Sequence, residues 1–319
     1  MSRRGWLLFL AMGVIWGVPY LLIKVAVGTL SPATLVFFRT AIAALMLVPL
    51  AAGRGQLRPA LARWRPLLVF TAVELAVPWF FLASAERRLS SSLSGLLIAA
   101  VPLIGSLLGW VTGGERLGPR RLLGLLIGLL GVASLVGLDL HVDDAWAVAQ
   151  LGVVAVGYAV GPFVLSRYLS DTPGLGVTAV SLALTSVIYL PFALAQLPAH
   201  PPSARVIAAV VTLSVVCTAV AFLVFFALIA EVGPVRSTVI TYVNPAVAVL
   251  LGVLLLNEPF TIGIAVGFAL VLTGSVLATR RAKPGDPARR SVARVGGGTA
   301  GGAVPDVLRK SVRVEQSGQ

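Results

Sequence analysis

The chain has 319 residues, of which 58% are hydrophobic and only 12% are charged. A soluble globular protein carries about 25% charged residues, so this chain has too few charges to cover a water-facing surface, and the bilayer must be the solvent for most of it. The net charge of +13 does not indicate a nucleic-acid partner, because the basic residues cluster in short connections and in the last 40 residues. A single cysteine, Cys217, excludes an internal disulfide and a cysteine-rich metal site.

Ten apolar segments follow one another along the chain, each close to the roughly 20 residues that cross about 30 Å of hydrocarbon. Their length and continuity favour helices, because barrel strands would be about ten residues long with alternating polarity. The first segment starts like a signal peptide but continues past Lys24 without a small-residue cleavage site, so we interpret it as an uncleaved span. The predicted spans are 6–27, 32–52, 66–85, 90–112, 119–138, 145–166, 174–197, 204–229, 234–256 and 259–279.

The distribution of Lys and Arg predicts the orientation of these spans, because cytoplasmic connections carry an excess of basic residues. With the N-terminus inside, the outer connections hold only Arg87, Arg88 and Arg205, and the Asp139–Asp144 turn holds none. We therefore predict a multi-pass protein of the cell membrane with both termini in the cytoplasm. The inner basic residues are those of the tail together with Arg3, Arg4, Arg54, Arg58, Arg63, Arg65, Arg116, Arg120, Arg121, Arg167 and Arg236.

An internal duplication relates the two halves of the chain at an offset of 143 residues. Matches at one offset without a gap indicate a domain-sized repeat rather than a solenoid. Each copy contains five predicted helices, and an odd number makes the copies enter the membrane from opposite sides, as in inverted-topology transporters. The matched pairs are Pro19 with Pro162, Lys24 with Arg167, Pro102 with Pro245, Gly109 with Gly252, Glu115 with Glu258, Gly124 with Gly267 and Gly131 with Gly274.

The predicted fold is an all-α integral membrane protein with ten transmembrane helices in two inverted five-helix repeats, at residues 1–138 and 144–279. Residues 280–319 are polar, basic and rich in Gly without an apolar period, which predicts a disordered cytoplasmic tail. A solvated tail is the simpler interpretation, and contact with anionic lipid is the alternative.

Several stretches of the sequence carry a family resemblance. They are WGVPYLLIK (16–24), AERRLSSSLSGLLIAAVPL (85–103), GERLGPRRLLGLLIGLLGV (114–132) and the second-copy run NPAVAVLLGVLLLNEP (244–259). Together they resemble the EamA family of the drug/metabolite transporter (DMT) superfamily, over residues 6–279. The resemblance implies ten helices, two inverted repeats, a central cavity, and export (efflux) or exchange of small metabolites.

Two charged residues lie inside predicted spans. Glu74 is about 12 Å into its helix from Pro66, at 1.5 Å per residue, and a buried acid should face a cavity or a partner. Because burial disfavours the charged form, Glu74 suits a proton-coupling site; the alternative is a hydrogen-bonded glutamate that only holds helices together. Arg39 lies about 10 Å into helix 2. It would form a transport-linked pair with Glu74, act as counter-ion for an anionic substrate group, or snorkel to the outer interface.

Aromatic and amide side chains within the spans are further candidates for substrate binding. Aromatic rings can stack on an organic substrate while a hydroxyl or indole N–H supplies polarity, and the alternative is packing against lipid or the interface. Asn244 precedes a proline that frees a backbone carbonyl, so its amide would bind a polar ligand or cap a break. The aromatic candidates are Trp16, Tyr20, Trp79, Tyr158 and Tyr242, and the predicted helix breaks are Pro19, Pro78, Pro102, Pro162 and Pro245.

Residues near the helix ends have structural interpretations. Lys24 would snorkel to the interface or flank a gate, with Arg167 as its counterpart in the second repeat. Glu115 and Glu258 lie at short turns, which they would cap or salt-bridge. Small-xxx-small spacings in helices 5 and 10 predict close helix contact, inside the fold or at a dimer seam, so both monomer and homodimer stay open. The glycines are Gly124, Gly128, Gly131, Gly263, Gly267 and Gly274, and the predicted interface tryptophans are Trp6, Trp110 and Trp146.

These features predict a secondary active transporter that moves a small organic metabolite or drug across the cytoplasmic membrane by alternating access. Export or exchange, with proton coupling as an option, is the expected mode; the partners are the small-molecule substrate and the lipid bilayer. We predict no enzymatic activity, catalytic residue, cofactor or metal site, because every Asp lies in a loop or the tail and the two histidines, His141 and His200, lie in predicted outer connections. The alternative is a passive channel or a membrane scaffold without coupled transport.

Overall fold

The protein is helical throughout the part that the structure describes. The computed structural model describes residues 2–111, 118–139, 144–233 and 237–279. Its first half contains α1 (Arg3–Ile15), α2 (Pro19–Val27), α3 (Pro32–Gly53), α4 (Leu57–Ala62), α5 (Trp64–Phe70), α6 (Val77–Ala85), α7 (Ser91–Ile98), α8 (Val101–Val111) and α9 (Pro119–Asp139). Its second half contains α10 (Ala145–Tyr168), α11 (Gly174–Ala195), α12 (Ala204–Ser214), α13 (Ala221–Val232), α14 (Asn244–Leu256) and α15 (Ile262–Thr279).

Three short segments of non-α helix interrupt this series. A first π segment (Thr71–Ala76) joins α5 to α6, and a second π segment (Val215–Val220) joins α12 to α13. A 3₁₀ turn, Thr238–Tyr242, precedes α14. A π-helical segment widens the turn by one residue and is frequent at functional sites.

Seven helical stretches of the described residues are long and apolar enough to cross a membrane. Two shorter apolar helices, Ile240–Leu256 and Ile262–Ala278, accompany them. The predicted all-helical membrane class is therefore confirmed, whereas the count of ten spans, their inverted arrangement and the domain limits stay predictions. The seven stretches are Arg3–Val27, Pro32–Gly53, Trp64–Ala85, Ser91–Val111, Ala145–Tyr168, Gly174–Ala195 and Ala204–Val232.

Serine side chains begin four of these stretches. The hydroxyl oxygens of Ser2, Ser31, Ser90 and Ser203 each accept a hydrogen bond from the backbone N–H three residues later, at 2.9 to 3.4 Å. Such N-caps satisfy first-turn donors that have no intrahelical partner. In a membrane protein, where lipid offers no hydrogen bond, these caps also fix where each apolar run can start.

Proline positions explain most of the interruptions. Three predicted breaks coincide with the start of a new helix, because a proline in the first turn loses no intrahelical hydrogen bond. The prediction for Pro162 is wrong, since α10 runs unbroken from Ala145 to Tyr168. The Pro162 ring is exposed on the helix surface, and the one hydrogen bond it removes does not redirect the chain. Pro19, Pro102 and Pro245 are the first or second residues of α2, α8 and α14. Pro78 does not interrupt the chain, because the first π segment runs directly into α6.

Helices from the two halves pack against each other in reciprocal pairs. α2 packs on α12, and α6 packs on α10. Three further pairs join the halves, namely α3 with α11, α7 with α14 and α9 with α15. The main clusters of buried apolar side chains accordingly draw residues from both halves. The halves therefore share their core rather than forming two separate cores.

The contact between α9 and α15 is made at a glycine seam, formed by Gly124, Gly128, Gly131 and Gly274. A Cβ at Gly124 or Gly131 would come within 2.7 Å of the α15 backbone, and one at Gly274 would collide with Gly128. The seam lets the two backbones touch, as the small-residue spacings predict. These glycines therefore serve packing inside the fold, which was one of the two predicted roles.

Other predictions concern the surface or the remaining residues. Trp6, Trp110 and Trp146 are exposed, which agrees with an interface belt. Glu115, His141 and the tail at 280–319 lie outside the described residues, so the predictions made for them stay predictions.

Candidate functional site

Arg39 lies inside the helix bundle rather than at a membrane interface. It follows Pro32, the start of α3, by about 10 Å along the helix axis, and only 8% of its surface is exposed. Its Cζ lies 3.5 Å from the centroid of the Trp79 ring, and its Nε donates to Thr218 Oγ1 at 3.0 Å. The guanidinium is thus held over an aromatic face in a cation–π contact. The interpretation of Arg39 as a snorkelling arginine is wrong.

Thr218 is oriented by the second π segment. Its Oγ1 donates to the carbonyl oxygen of Leu213, five residues earlier, at 2.8 Å. That bond uses the hydroxyl proton, so the oxygen lone pairs are free to accept from Arg39. The wide turn therefore aims a hydroxyl acceptor at a guanidinium from the other half of the chain.

Tyrosine side chains surround the Arg39 guanidinium at longer range. Tyr20 is buried, and the indole N–H of Trp79 donates to the hydroxyl of Tyr158. Three of the five predicted aromatic candidates therefore converge on Arg39, from α2, α6 and α10. The side chains that interact electrostatically with the Arg39 charge are Tyr158, Cys217, Tyr20 and Glu86.

Glu74 occupies the first π segment and packs against two glycines of α10. A Cβ at Gly161 would collide with Glu74 Oε2, and one at Gly157 would collide with the carbonyl oxygen of Val73. The glycines therefore form a groove that receives the π segment. Within the described part of the chain, Glu74 Oε2 is buried and has no hydrogen-bond partner. The carboxyl group interacts electrostatically with Tyr158.

The predicted Arg39–Glu74 ion pair is not formed in this structure. Arg39 contacts Thr218 and Trp79, whereas Glu74 lies in the glycine groove of α10. Tyr158 interacts electrostatically with both charged groups. Counting residues along each helix estimated the depth of the two side chains, but the rotation of each helix about its axis decides which way they point.

Lys24 belongs to a second polar cluster, at the end of α6. Its Nζ donates to the backbone carbonyl oxygens of Glu86 and Leu89, both at 2.7 Å. The ammonium group therefore caps carbonyls that lack intrahelical partners beyond a helix C-terminus. Because these bonds hold Lys24 to the protein, the snorkelling interpretation is wrong, and the gate-flanking role stays a prediction.

Glu258 completes a cap on the neighbouring helix α7. Its carboxylate accepts from the backbone N–H groups of Ser91 and Ser92, at 2.7 and 2.9 Å, and from Ser92 Oγ at 2.5 Å. A carboxylate at a helix N-terminus is favoured by the free donors and by the helix dipole. The prediction that Glu258 caps its own turn is therefore corrected, since it caps a helix of the first half.

Glu86 is the fully buried carboxylate of this capping cluster, which we define as Lys24, Glu86, Ser91, Ser92 and Glu258. It lies just beyond the end of α6. Neither carboxylate oxygen has a hydrogen-bond partner among the residues that the structure describes. Burial raises the pKa of Glu86 well above its ordinary value; Lys24 and Arg39 oppose this shift and Glu258 adds to it.

Asn244 caps a break, which is one of its two predicted roles. In the amide orientation that satisfies both of its polar atoms, Nδ2 donates to the carbonyl oxygens of Gly13 and Ile240 at 3.1 and 3.0 Å. Asn244 thereby ties the 3₁₀ turn before α14 to α1. It therefore links the chain just before Pro245 to the first helix.

Trp16 and Tyr242 contact groups other than Arg39. The Trp16 ring, just after α1, packs against Phe225 with 4.7 Å between centroids. The Tyr242 hydroxyl donates to the carbonyl oxygen of Ser275 at 3.3 Å. Their predicted substrate-binding role stays a prediction.

Two cavities are outlined by described residues, and Arg39 lines neither of them. The larger, of ≈ 590 Å³, lies where α3 ends, on the predicted inner side, and the smaller, of ≈ 180 Å³, lies beside the start of α7. In the described ranges no three His, Cys, Asp or Glu side chains are grouped to hold a metal ion. The larger cavity is lined by Leu50, Arg54, Gln56, Pro173, Gly174, Leu175, Leu223, Phe226 and Ala227.

Sequence reasoning missed Thr218 and Glu86. Thr218 directly follows Cys217, which is the repeat counterpart of Glu74 at the 143-residue offset, so reading one residue further would have found a polar side chain. Glu86 stands beside two arginines, which made it resemble part of a charged loop. Its burial could be seen only once α2 and α7 were placed around it.

Both halves of the chain match a known protein family. The model of the EamA-like transporter family matches the chain twice, over residues 3–137 and 145–280. The chain belongs to the EamA-like transporter family. Membership indicates a multi-pass membrane transporter rather than an enzyme, with a small-molecule substrate and the lipid bilayer as its partners.

Relatives of this EamA protein are transporters by name. It is 25% identical over 286 residues to the uncharacterized transporter YvbV of Bacillus subtilis, covering 88% of this chain and 93% of the relative. It is 27% identical over 253 residues to the uncharacterized inner membrane transporter YedA of Escherichia coli, covering 76% and 79%. It is 28% identical over 287 residues to the probable terminal-alkyne amino-acid exporter of Streptantibioticus cattleyicolor, covering 88% and 95%.

A solved crystal structure supports the fold of this EamA protein. It superposes with a TM-score of 0.64 at 24% sequence identity, covering 88% of this chain and 98% of that chain. The likeness is one of fold alone.

Proposed function

We propose that this EamA protein is a secondary active transporter that moves a small organic metabolite or drug across the cell membrane by alternating access. The supporting observation is that the family model matches both halves and that the halves share one core. Two related units packed in this way can rock against each other around a site between them. Arg39, Trp79 and Thr218 come from both halves, so such a motion would alter their contacts.

The ten-helix inverted arrangement is part of this proposal. Exchanging the two halves at the 143-residue offset turns the α6–α10 pair into the α13–α1 pair, and α1 does pack on α13. It returns the pairs α3–α11 and α9–α15 to themselves. Such reciprocity is what a pseudo-two-fold relation between repeats would produce, and it therefore supports an inverted repeat.

The proposal also includes the direction of transport, its coupling to protons and the orientation of the chain in the membrane. Export or exchange is supported by one relative that carries the name of an exporter. Coupling to protons is supported by Glu74, whose Oε2 is buried without a hydrogen-bond partner in the described ranges, because burial disfavours the charged form of a carboxyl group. Cytoplasmic termini are supported by the distribution of Lys and Arg.

Trans-stimulation in proteoliposomes tests the transport mechanism. Vesicles carrying the purified full chain are offered ¹⁴C-labelled amino acids, organic acids, nucleosides and sugars, one at a time, with and without the same unlabelled compound inside. A carrier must return through its cycle, so internal substrate should accelerate uptake of the label. Protein-free vesicles, and vesicles with heat-unfolded protein, provide the background.

The alternative functions make different predictions in the same assay. A passive channel would carry a compound down its gradient without acceleration by internal substrate. A scaffold would show no uptake above background although the protein elutes as a folded species. For coupling, Glu74→Gln should abolish the pH dependence of exchange while exchange itself persists, and an unchanged pH dependence would remove Glu74 from that role.

A further inference from the structure

We infer that Arg39 binds the carboxylate of the transported molecule, so that the substrates are small organic acids or zwitterions with one carboxylate and an apolar body. This inference rests on the proposed transport function and adds a substrate class to it. Its basis is a guanidinium that is buried at membrane depth, fixed in orientation and left with donors that the protein does not use.

The hydrogen bonds of Arg39 leave its terminal fork unused. Nε donates to Thr218 Oγ1, and this is the hydrogen bond that the side chain makes within the described part of the chain. Glu86 acts on its charge at longer range, outside hydrogen-bonding distance. Nη1 and Nη2 form the planar fork that holds a carboxylate through two parallel hydrogen bonds. This fork is therefore available to a ligand.

The positive charge of Arg39, buried inside a span, must be stabilised by neighbouring groups. An ionised side chain inside a span is costly and marks substrate or ion pathways, and an arginine cannot escape the cost by losing its proton. The face of Trp79 supplies part of the compensation through its quadrupole. A bound anion would supply the rest, because attraction between opposite charges is much stronger away from water.

Two features favour a monocarboxylate over other anions. One guanidinium carries a single positive charge, so a dianion such as phosphate would leave negative charge buried near Glu86. The Trp79 ring lies over the guanidinium, and Tyr20 and Tyr158 interact electrostatically with it. Aromatic side chains suit an apolar body beside the carboxylate. The expected ligand is thus amphipathic, with its acid group towards α3.

Glu86 offers a competing explanation for the unused fork. Its two oxygens are buried without hydrogen-bond partners in the described ranges, and it interacts electrostatically with Arg39. If Glu86 were the permanent counter-charge of Arg39, the site would need no ligand. The two explanations differ in which protein binds a free carboxylate. A ligand site predicts binding to the wild type and to Glu86→Gln, whereas a permanent counter-charge predicts binding to Glu86→Gln alone.

Binding of matched acid and amide probes tests the inference directly. The purified full chain in detergent is titrated with phenylacetate against phenylacetamide, and with leucine against leucinamide. Inorganic phosphate and benzenephosphonate form the second arm. Quenching of tryptophan fluorescence reports binding, because Trp79 lies over Arg39, and the thermal unfolding temperature provides an independent readout. We expect saturable binding of at least one carboxylate, with its amide at least about 30-fold weaker.

Substitution of Arg39 then assigns the site. Arg39→Leu introduces the residue type that the second repeat carries at the equivalent Leu182, which is fully buried in α11. We expect carboxylate binding to weaken by about 30-fold or more. The matched control is Arg65→Leu, since Arg65 also lies over a tryptophan ring, 5.3 Å from the centroid of Trp64, but is exposed. Binding in the control should equal that of the wild type.

Three conservative variants keep the test decisive if Arg39→Leu does not fold. Arg39→Lys retains the charge without the fork and should weaken binding by about 10-fold. Thr218 acts as a positioning residue, so Thr218→Val should weaken carboxylate binding and Thr218→Ser should restore it.

Several results would overturn the assignment. They are equal binding of acid and amide, tighter binding of phosphonate than of carboxylate, unchanged binding in Arg39→Leu or Arg39→Lys, and the absence of binding by every carboxylate to the wild type. Carboxylate binding that is absent from the wild type and appears in Glu86→Gln would favour the counter-charge explanation.

Failure of this inference can be told apart from failure of the proposed function. Trans-stimulated exchange of a compound without a carboxylate, unaffected by Arg39→Leu, would sink the carboxylate site and leave the transporter standing. Carboxylate binding that depends on Arg39, in vesicles that show no trans-stimulation, would support the carboxylate site and contradict the proposed transport function.

Discussion

Glu74 and Gly161 are in contact between the first π segment and α10, with no room for a methyl group between them. Gly161→Ala should therefore displace the carboxylate and lower the free energy of unfolding by about 1 to 3 kcal/mol. Thermal unfolding in detergent would measure this loss. Gly152→Ala is the matched control on the same helix, because its Cβ would meet open space and alanine is the better helix former. Equal stability of the two variants would contradict the packing described for Glu74.

Lys24 should contribute to stability, whereas its counterpart in the second repeat should not. Lys24→Met keeps the length of the side chain but removes the hydrogen bonds to Glu86 and Leu89, which should cost about 2 kcal/mol. Arg167 is exposed at the end of α10, so Arg167→Met should leave the unfolding temperature unchanged. The cap on α6 would be doubtful if both variants lost the same stability.

Glu258 should contribute more to the free energy of unfolding than Glu231, another glutamate near a helix end. Glu258→Ala removes three hydrogen bonds at the start of α7, with an expected loss of about 2 kcal/mol. Glu231 is the comparison, since its hydrogen bond to Ser2 is exposed and Glu231→Ala should change little. Chemical unfolding of both variants in mild detergent would measure the difference, and a larger loss in Glu231→Ala would refute the assignment.

Glu86 should make stability depend on pH. Burial raises its pKa in the folded protein, so the unfolded chain releases the proton first as the pH rises, and stability falls between the unfolded and folded pKa values. The groups that face it are Lys24, Glu258 and Arg39. Glu86→Gln cannot ionise, so it should be more stable than the wild type at pH 8.

The same variant provides the control by its behaviour in acid. The stability advantage of Glu86→Gln should vanish near pH 4, where the wild-type carboxyl is protonated in both states. Unfolding temperatures of the two proteins between pH 4 and 8 would show whether the curves diverge. Parallel curves over that range would contradict the raised pKa of Glu86.

Much of the architecture could be predicted because it depends on patterns that lie along the chain. Long apolar runs predicted the helical membrane class, and Pro19, Pro102 and Pro245 marked real starts of helices. Burial of Arg39 could not be predicted, since an arginine at that depth either snorkels or turns inward depending on helix rotation. Pro162 shows the same limit, because a proline on an outer helix face need not break the helix.

The two π segments explain why the partners of Arg39 and Glu74 were misassigned. Each widens one turn and rotates the residues that follow it, and no residue type announces such a turn in advance. Thr218 was missed for this reason, since a regular helical count does not bring it to Arg39. Caps supplied from far along the chain, such as Glu258 on Ser91, depend likewise on tertiary packing.

The glycine seam also limits which substitutions each repeat can accept during evolution. A side chain gained at Gly274 in the second copy would collide with Gly128 of the first, so neither copy can drift alone there. Glu74 and its repeat counterpart Cys217 lie in separate surroundings, the first against Gly161 and the second near Arg39. Along the seam, a substitution in one repeat is therefore tolerated only with a matching change in the other. At the candidate site, one repeat can gain a new functional side chain without a matching change in the other.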